Sequence, residues 1–110
     1  MKGTYLGEFE EIVLLATGIL KEEAYGVAIR KEIEKQTQRS VNIGAVHTAL
    51  HRLEDKGYLK SKFGEASLMR GGKRKRIFNL TMFGLKALQK AQTLRSNMWS
   101  QLGNIIIQKN

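Results

Sequence analysis

Cysteine and proline are both absent from this chain, and its last 45 residues contain no aspartate or glutamate. The missing thiols exclude disulfides and thiolate metal sites and fit a reducing cytoplasm. The missing proline lets helices run without a break and removes slow X-Pro isomerisation from folding. Long apolar runs are missing too. The longest, Ile12 to Leu20, is interrupted by Thr17 and Gly18 and is too short to span a bilayer. No long apolar stretch follows basic residues at the N-terminus, so no signal peptide is expected. What remains is 110 residues, 42% hydrophobic and 26% charged, which by length and composition is one small globular domain.

The lack of acid near the C-terminus leaves the charge lopsided. Residues 1–65 carry ten Lys/Arg and ten Asp/Glu and balance. Residues 66–110 carry nine Lys/Arg unopposed, which is the whole net charge of +9. Five of these nine fall within seven residues, Arg70-Gly-Gly-Lys-Arg-Lys-Arg76. A solubilising loop is the plain reading. Like charges this close repel one another, however, so the clustering favours a counter-charge for a polyanion, nucleic acid first. The cluster does not lie on an amphipathic helix, so a membrane surface is not an expected partner.

Hydrophobic periodicity maps the elements. Leu6–Leu20 has apolar residues at helical spacing, widened by Ile12, Leu14, Leu15 and Ile19 into a helix expected to be buried on more than one side. Lys21-Glu22-Glu23 reads as a polar turn. A second helix is expected over Tyr25–Thr37, with Tyr25, Ile29 and Ile33 inward. Ser40-Val41-Asn42-Ile43 forms a minimal strand or an extended link. A third helix spans Gly44–Lys56 with a narrow stripe of Val46, Ala49, Leu50 and Leu53, and Gly57 stands at its C-terminal stop. Tyr58–Phe63 alternates as a half-buried strand, Leu59 and Phe63 on one side and Lys60 and Lys62 on the other. Arg76–Leu80 returns with Phe78 and Leu80 inward, and Thr81 caps a last helix from Met82. This is the order of a winged helix-turn-helix: mainly α, with a small β-hairpin and a long C-terminal dimerisation helix. The expected division is a DNA-binding unit over residues 1–81 and a dimerisation helix with tail over 82–110.

The third helix has an informative polar face. His47, Thr48, His51 and Arg52 stand opposite its apolar stripe, in the turns that a helix-turn-helix inserts into the major groove. Arg can bridge guanine acceptors, Thr offers a methyl or hydroxyl, and His donates to a phosphate or a base. Glu54 and Asp55 fall at the far end, where they face away or meet Lys56. His47 and His51 also have the i, i+4 spacing of a metal pair. With no cysteine and no further ligand clearly on that face, no metal and no cofactor are expected. The wing cations Arg70, Lys73, Arg74, Lys75 and Arg76 surround Gly71-Gly72, whose freedom lets a tip turn and approach phosphates or a minor groove closely.

From Met82 to Leu102 the chain can run as one helix roughly 30 Å long. It has two stripes, one of Leu85, Leu88, Gln92, Trp99, Leu102 and Ile106, the other of Ala87, Ala91, Leu94, Met98 and Ile105. A small core covers one of them, and the second is expected to meet a second copy in a twofold dimer. Gly103 marks the end or a break of this helix. Trp99 is the only tryptophan. It serves either as interface filler or, if two copies face each other, as a stacking surface for a flat aromatic ligand; Leu88, Gln92, Met98 and Leu102 would share that site.

Gly44-Ala-Val-His-Thr-Ala-Leu-His-Arg-Leu-Glu-Asp-Lys-Gly57 resembles the recognition-helix signature of the PadR family of bacterial transcriptional regulators. Gly72-Lys-Arg-Lys-Arg-Ile-Phe-Asn-Leu-Thr81 followed by Gly84 is similar to its wing and return strand, and Tyr25-Gly26 matches its second helix start. The resemblance covers about residues 6–95 and is to the short members with a single C-terminal helix. It implies a homodimer on a palindromic promoter site, most often a repressor, with some members released by phenolic or drug-like compounds. Two positions depart from the pattern. His47 stands where the family usually has a Tyr that touches the DNA backbone, and Thr48 where it often has Pro. The wing also lacks the family's frequent Pro, with Arg74 in that region.

The function read from the sequence is therefore a sequence-specific, homodimeric regulator of double-stranded DNA. The alternative is a basic module that binds DNA or RNA without sequence choice. No carboxylate pair, nucleophile–base set or phosphate-cradling loop stands out, so no enzyme is expected; Gly71-Gly72 lacks the strand-to-helix setting of a nucleotide loop.

Overall fold

The computed structural model describes residues 6–64 and 74–109, the stretch beyond residue 103 as backbone only. Four helices surround one antiparallel hairpin: α1 Glu8–Leu20, α2 Gly26–Thr37, α3 Ile43–Asp55, β1 Leu59–Phe63, β2 Arg76–Leu80 and α4 Met82–Lys109. A single 3₁₀ turn, Lys21–Glu23, joins α1 to α2 where a polar turn is expected.

The first three helices share one core, in which Val13, Leu14, Ile29, Ile33, Val46, Leu50 and Leu53 have no exposed surface. Acids crowd the first turn of α1 (Glu8, Glu10, Glu11), the favourable end of the helix dipole. Glu10 and Glu11 are nevertheless almost buried, at 8% and 9% exposure, and each has a cationic partner on another helix. Nζ of Lys56, the C-cap residue of α3, lies 2.9 Å from Glu10 Oε1, and Arg95 of α4 pairs with Glu11. These two bonds tie both later helices to α1.

α1 is covered on more than one side, as its broad apolar surface implies: it packs against α2, α3, β2 and α4, with Val13, Leu14, Ala16 and Thr17 buried. Leu15 and Ile19 lie on its remaining face, 47% and 53% exposed. Of the two alternatives for the next segment, residues 40–42 form the extended link and not the strand, and Ile43 already belongs to α3. Val41 N donates to Glu34 Oε2 at 2.8 Å, and Asn42 stops the link by capping α3, its Oδ1 accepting from the amides of Gly44 (2.6 Å) and Ala45 (3.3 Å). The segment before α2 meets the sheet instead: Phe78 N donates to Ala24 O at 2.9 Å, which docks the hairpin on the helical body.

Gly57 takes φ +83° after α3, the left-handed conformation that lets the chain reverse into β1. The strands pair from Leu59 with Leu80 to Phe63 with Arg76. Leu59, Ser61 and Phe63 thus share a face with Arg76, Phe78 and Leu80. Leu59 and Phe78 are buried on that face, but Phe63 is 58% exposed, contrary to expectation, because the hairpin has run past the core by that position. Thr81 caps α4 as expected, accepting from Gly84 N at 2.9 Å, while its own hydroxyl lies 2.8 Å from Gly57 O and 3.1 Å from Tyr58 O.

The last helix is longer than its sequence suggests. It runs through Gly103 without a break to Lys109. Leu88 is the correction with most consequence: at 8% exposure it belongs to the core of its own chain and is not available to a partner. Beyond Arg95 no described side chain of α4 is buried.

Candidate nucleic-acid interface

With Val46, Ala49, Leu50 and Leu53 held in the core, the 100° step of a helix turns positions 47, 48, 51 and 52 toward solvent. All four side chains are exposed, as the sequence pattern demands. They divide into two pairs. His47 and His51 face the hairpin. Together with Tyr25, Gly26, Val27, Lys75, Arg76 and Phe78 they line a shallow cleft of about 340 Å³. Thr48 and Arg52 face the start of α1. There an open groove of about 640 Å³ runs past Gly7, Glu8, Phe9, Glu10, Ala45, Ala49 and Lys56.

His47 sits so close over α2 that a Cβ on Gly26 would come within 2.6 Å of its Cε1. Glycine at 26 is therefore what lets the imidazole lie against the first turn of α2. Tyr25, expected inward, is half-buried and turned to the hairpin: Lys75 Nζ stands 4.0 Å above its ring centre. Arg52 is steered from the other side, its Nη1 3.8 Å from Glu10 Oε2. With the Arg52 side chain 62% exposed, this pair orients the guanidinium more than it stabilises the fold. Sequence reasoning missed Glu10 because its only signal was a place in the first turn of a distant helix.

Three of the five wing cations fall in the described residues. Arg70 and Lys73, with Gly71-Gly72, lie outside them. Arg74 Nε donates to Gly64 O at 3.1 Å across the mouth of the hairpin, and Gly64 N donates to Lys75 O at 2.7 Å. Arg76 is bound inside the chain, its Nη2 3.1 Å from Glu54 Oε1 and its Nε donating to Ser61 Oγ at 2.9 Å. Glu54 thus neither faces away nor meets Lys56, since Lys56 is held by Glu10. Among the described residues no group of three His, Cys, Asp or Glu side chains is placed to hold a metal ion.

On α4, Leu94, Met98, Trp99 and Leu102 are 60%, 61%, 67% and 47% exposed. Gln92 is exposed as well, its Nε2 donating to Ser96 Oγ at 3.2 Å. Of the five residues assigned to a dimer or effector site, Leu88 alone has been drawn into the body. Among the described residues no helix is long and apolar enough to cross a membrane.

An exposed polar helix, capped by Asn42 and flanked by a two-stranded basic hairpin, defines the winged-helix class of DNA-binding transcription factors. Residues 15–90 match the family model described as the transcriptional regulator PadR-like family. The fold is similar to that of a PadR-like transcription factor from Bacteroides fragilis (22% identity, 88% of each chain covered, TM-score 0.73). It is also similar to a PadR family transcription regulator from Clostridium difficile R20291 (25% identity, 87% of this chain and 97% of that one, TM-score 0.67). A PadR-like transcriptional regulator from Bacillus cereus superposes comparably (19% identity, 89% and 90% covered, TM-score 0.69). No curated protein matches the chain. The chain belongs to the PadR-like family of transcriptional regulators, which are DNA-binding proteins and not enzymes.

Proposed function

We propose that this chain is a homodimeric, cytoplasmic repressor that binds a palindromic operator through α3 and the hairpin. The observation that carries this reading is the joint exposure of His47, Thr48, His51 and Arg52 beside the cationic base of the wing. Arg52 and Thr48 read base edges; His47 and His51 meet the backbone or a base; Arg70, Lys73, Arg74 and Lys75 neutralise phosphates. The uncovered apolar positions of α4 support a twofold partner, which would set the two reading helices one turn of DNA apart, about 34 Å. Trp99 in that interface offers a stacking surface for a small flat aromatic effector that releases the DNA.

Selection of bound duplexes from a random pool at near-physiological salt tests the reading. A twofold-symmetric motif is the expected result, and bound DNA without any enriched motif would replace it with a non-specific basic module. Titration with planar aromatic compounds, followed by Trp99 fluorescence, tests the effector: quenching coupled to DNA release is expected, and a flat response across the panel removes it.

A further inference from the structure

Glu54 is an acid at the edge of a surface built for phosphate, where an uncompensated carboxylate repels the ligand. Both of its oxygens are in use. Ser61 Oγ donates to Oε2 at 2.6 Å, and Arg76 Nη2 donates to Oε1 at 3.1 Å. Arg76 Nε then donates to Ser61 Oγ at 2.9 Å, which closes a triangle of hydrogen bonds. The three residues come from three elements: the end of α3, the middle of β1 and the first position of β2. The Arg76 guanidinium also stands 5.6 Å from the ring centre of Phe78, a core residue, and 5.7 Å from that of Phe63. Arg76 shares its sheet face with Ser61 and Phe78, the face that packs on the body. Its side chain is 41% exposed and that of Glu54 27%.

We propose that Glu54, Ser61 and Arg76 form a strut that fixes the angle between the hairpin and α3, and that Arg76 is a positioning residue for the wing and not one of its phosphate contacts. The proposal rests on the DNA-binding reading above. It explains why an acid is tolerated in the interface, since its charge is spent on a guanidinium and a hydroxyl. It also explains why a basic residue at the wing end of the hairpin differs in role from its neighbours: among the described residues the Arg74 and Lys75 side chains engage a carbonyl and a ring, whereas Arg76 is paired with a carboxylate.

The two roles for Arg76 predict opposite signs for one substitution. If Arg76 grips phosphate, Glu54→Gln removes a repelling charge, releases the guanidinium and tightens DNA binding. If the triangle is a strut, Glu54→Gln loosens the wing and weakens binding despite the lost negative charge. We expect Glu54→Gln and Ser61→Ala each to lower affinity for the selected duplex by about 3- to 10-fold, the scale of a part-exposed ion pair and its hydrogen bonds. The exchanged pair Glu54→Arg with Arg76→Glu, which keeps the net charge, should recover most of what Arg76→Glu alone loses. Tighter binding by Glu54→Gln, or an exchanged pair no better than Arg76→Glu alone, overturns the strut. A second measurement needs no DNA: amide hydrogen exchange of β1 and β2, including the Gly64 amide, should quicken about 3- to 10-fold in Glu54→Gln and in Ser61→Ala. If the wild-type chain selects no duplex, the DNA-binding reading falls while the exchange rates still judge the strut, and unchanged rates overturn it.

Discussion

Gly84 lies against the carbonyl of Tyr58, and there is no room for a methyl between them. The obstacle is backbone, held in place by the Thr81 amide at 3.1 Å and the Thr81 hydroxyl at 3.1 Å. Gly84→Ala should therefore destabilise the fold by about 1–3 kcal/mol, read as a lower midpoint in urea with an unchanged slope. Gly26 is crowded by a different kind of neighbour, the tip of the His47 side chain, which can swing away. Gly26→Ala should leave the melting temperature near wild type but weaken operator binding, because it moves an imidazole that the first turn of α2 now supports. Asn42→Ala should cost about 1 kcal/mol in thermal unfolding, since two amides at the start of α3 lose their acceptor. Such single positions were partly legible. Gly57 and Thr81 announce their roles by residue type alone. Glu10 and Glu54 do not, because a carboxylate near a helix end looks the same whether it faces solvent or a cation from elsewhere in the chain.

Among the elements, α3 and the hairpin follow directly from periodicity. A narrow stripe of four apolar residues defines which side of α3 is wet, and strand alternation places Phe78 inside. What periodicity cannot supply is where a packed body ends. Phe63 obeys the alternation yet lies beyond the core, and Leu15 and Ile19 continue the apolar run of α1 onto a face that stays about half exposed among the described residues. Gly103 was misleading for a related reason. A glycine inside a helix costs about 1 kcal/mol relative to alanine, too little by itself to stop a long helix. At this scale the wing can be tested as a unit. Replacing Lys73, Arg74 and Lys75 together by Ala should flatten the dependence of log affinity on log salt by about 5 in a dimer, if each of the six cations displaces one counterion. An unchanged slope in a filter-binding or fluorescence-anisotropy series would remove the wing from the phosphate contacts.

Across the whole molecule, the extents of 61 × 31 × 20 Å reflect one long helix leaving a small body. At 28 residues α4 is about 42 Å long, and only its first turns are packed on the core, through Leu88 and half-buried Ala87. The sequence displays two stripes on this helix but not the reach of the body along it. That reach is set by the tertiary packing of α1, down to the Glu11–Arg95 pair. Met98→Lys, alone or with Leu94→Lys, should halve the solution mass seen by sedimentation and lower operator affinity by more than tenfold, with little loss of helical circular dichroism from the body. A wild-type protein that sediments as a monomer at micromolar concentration would remove α4 as the dimer contact.

If α4 pairs with a second chain as proposed, its exposed face has a regulatory consequence. At low abundance the number of two-headed molecules grows with the square of the amount of protein in the cell. Occupancy of a gene's control site would then rise steeply past a threshold, and dilution at each division would be enough to clear it.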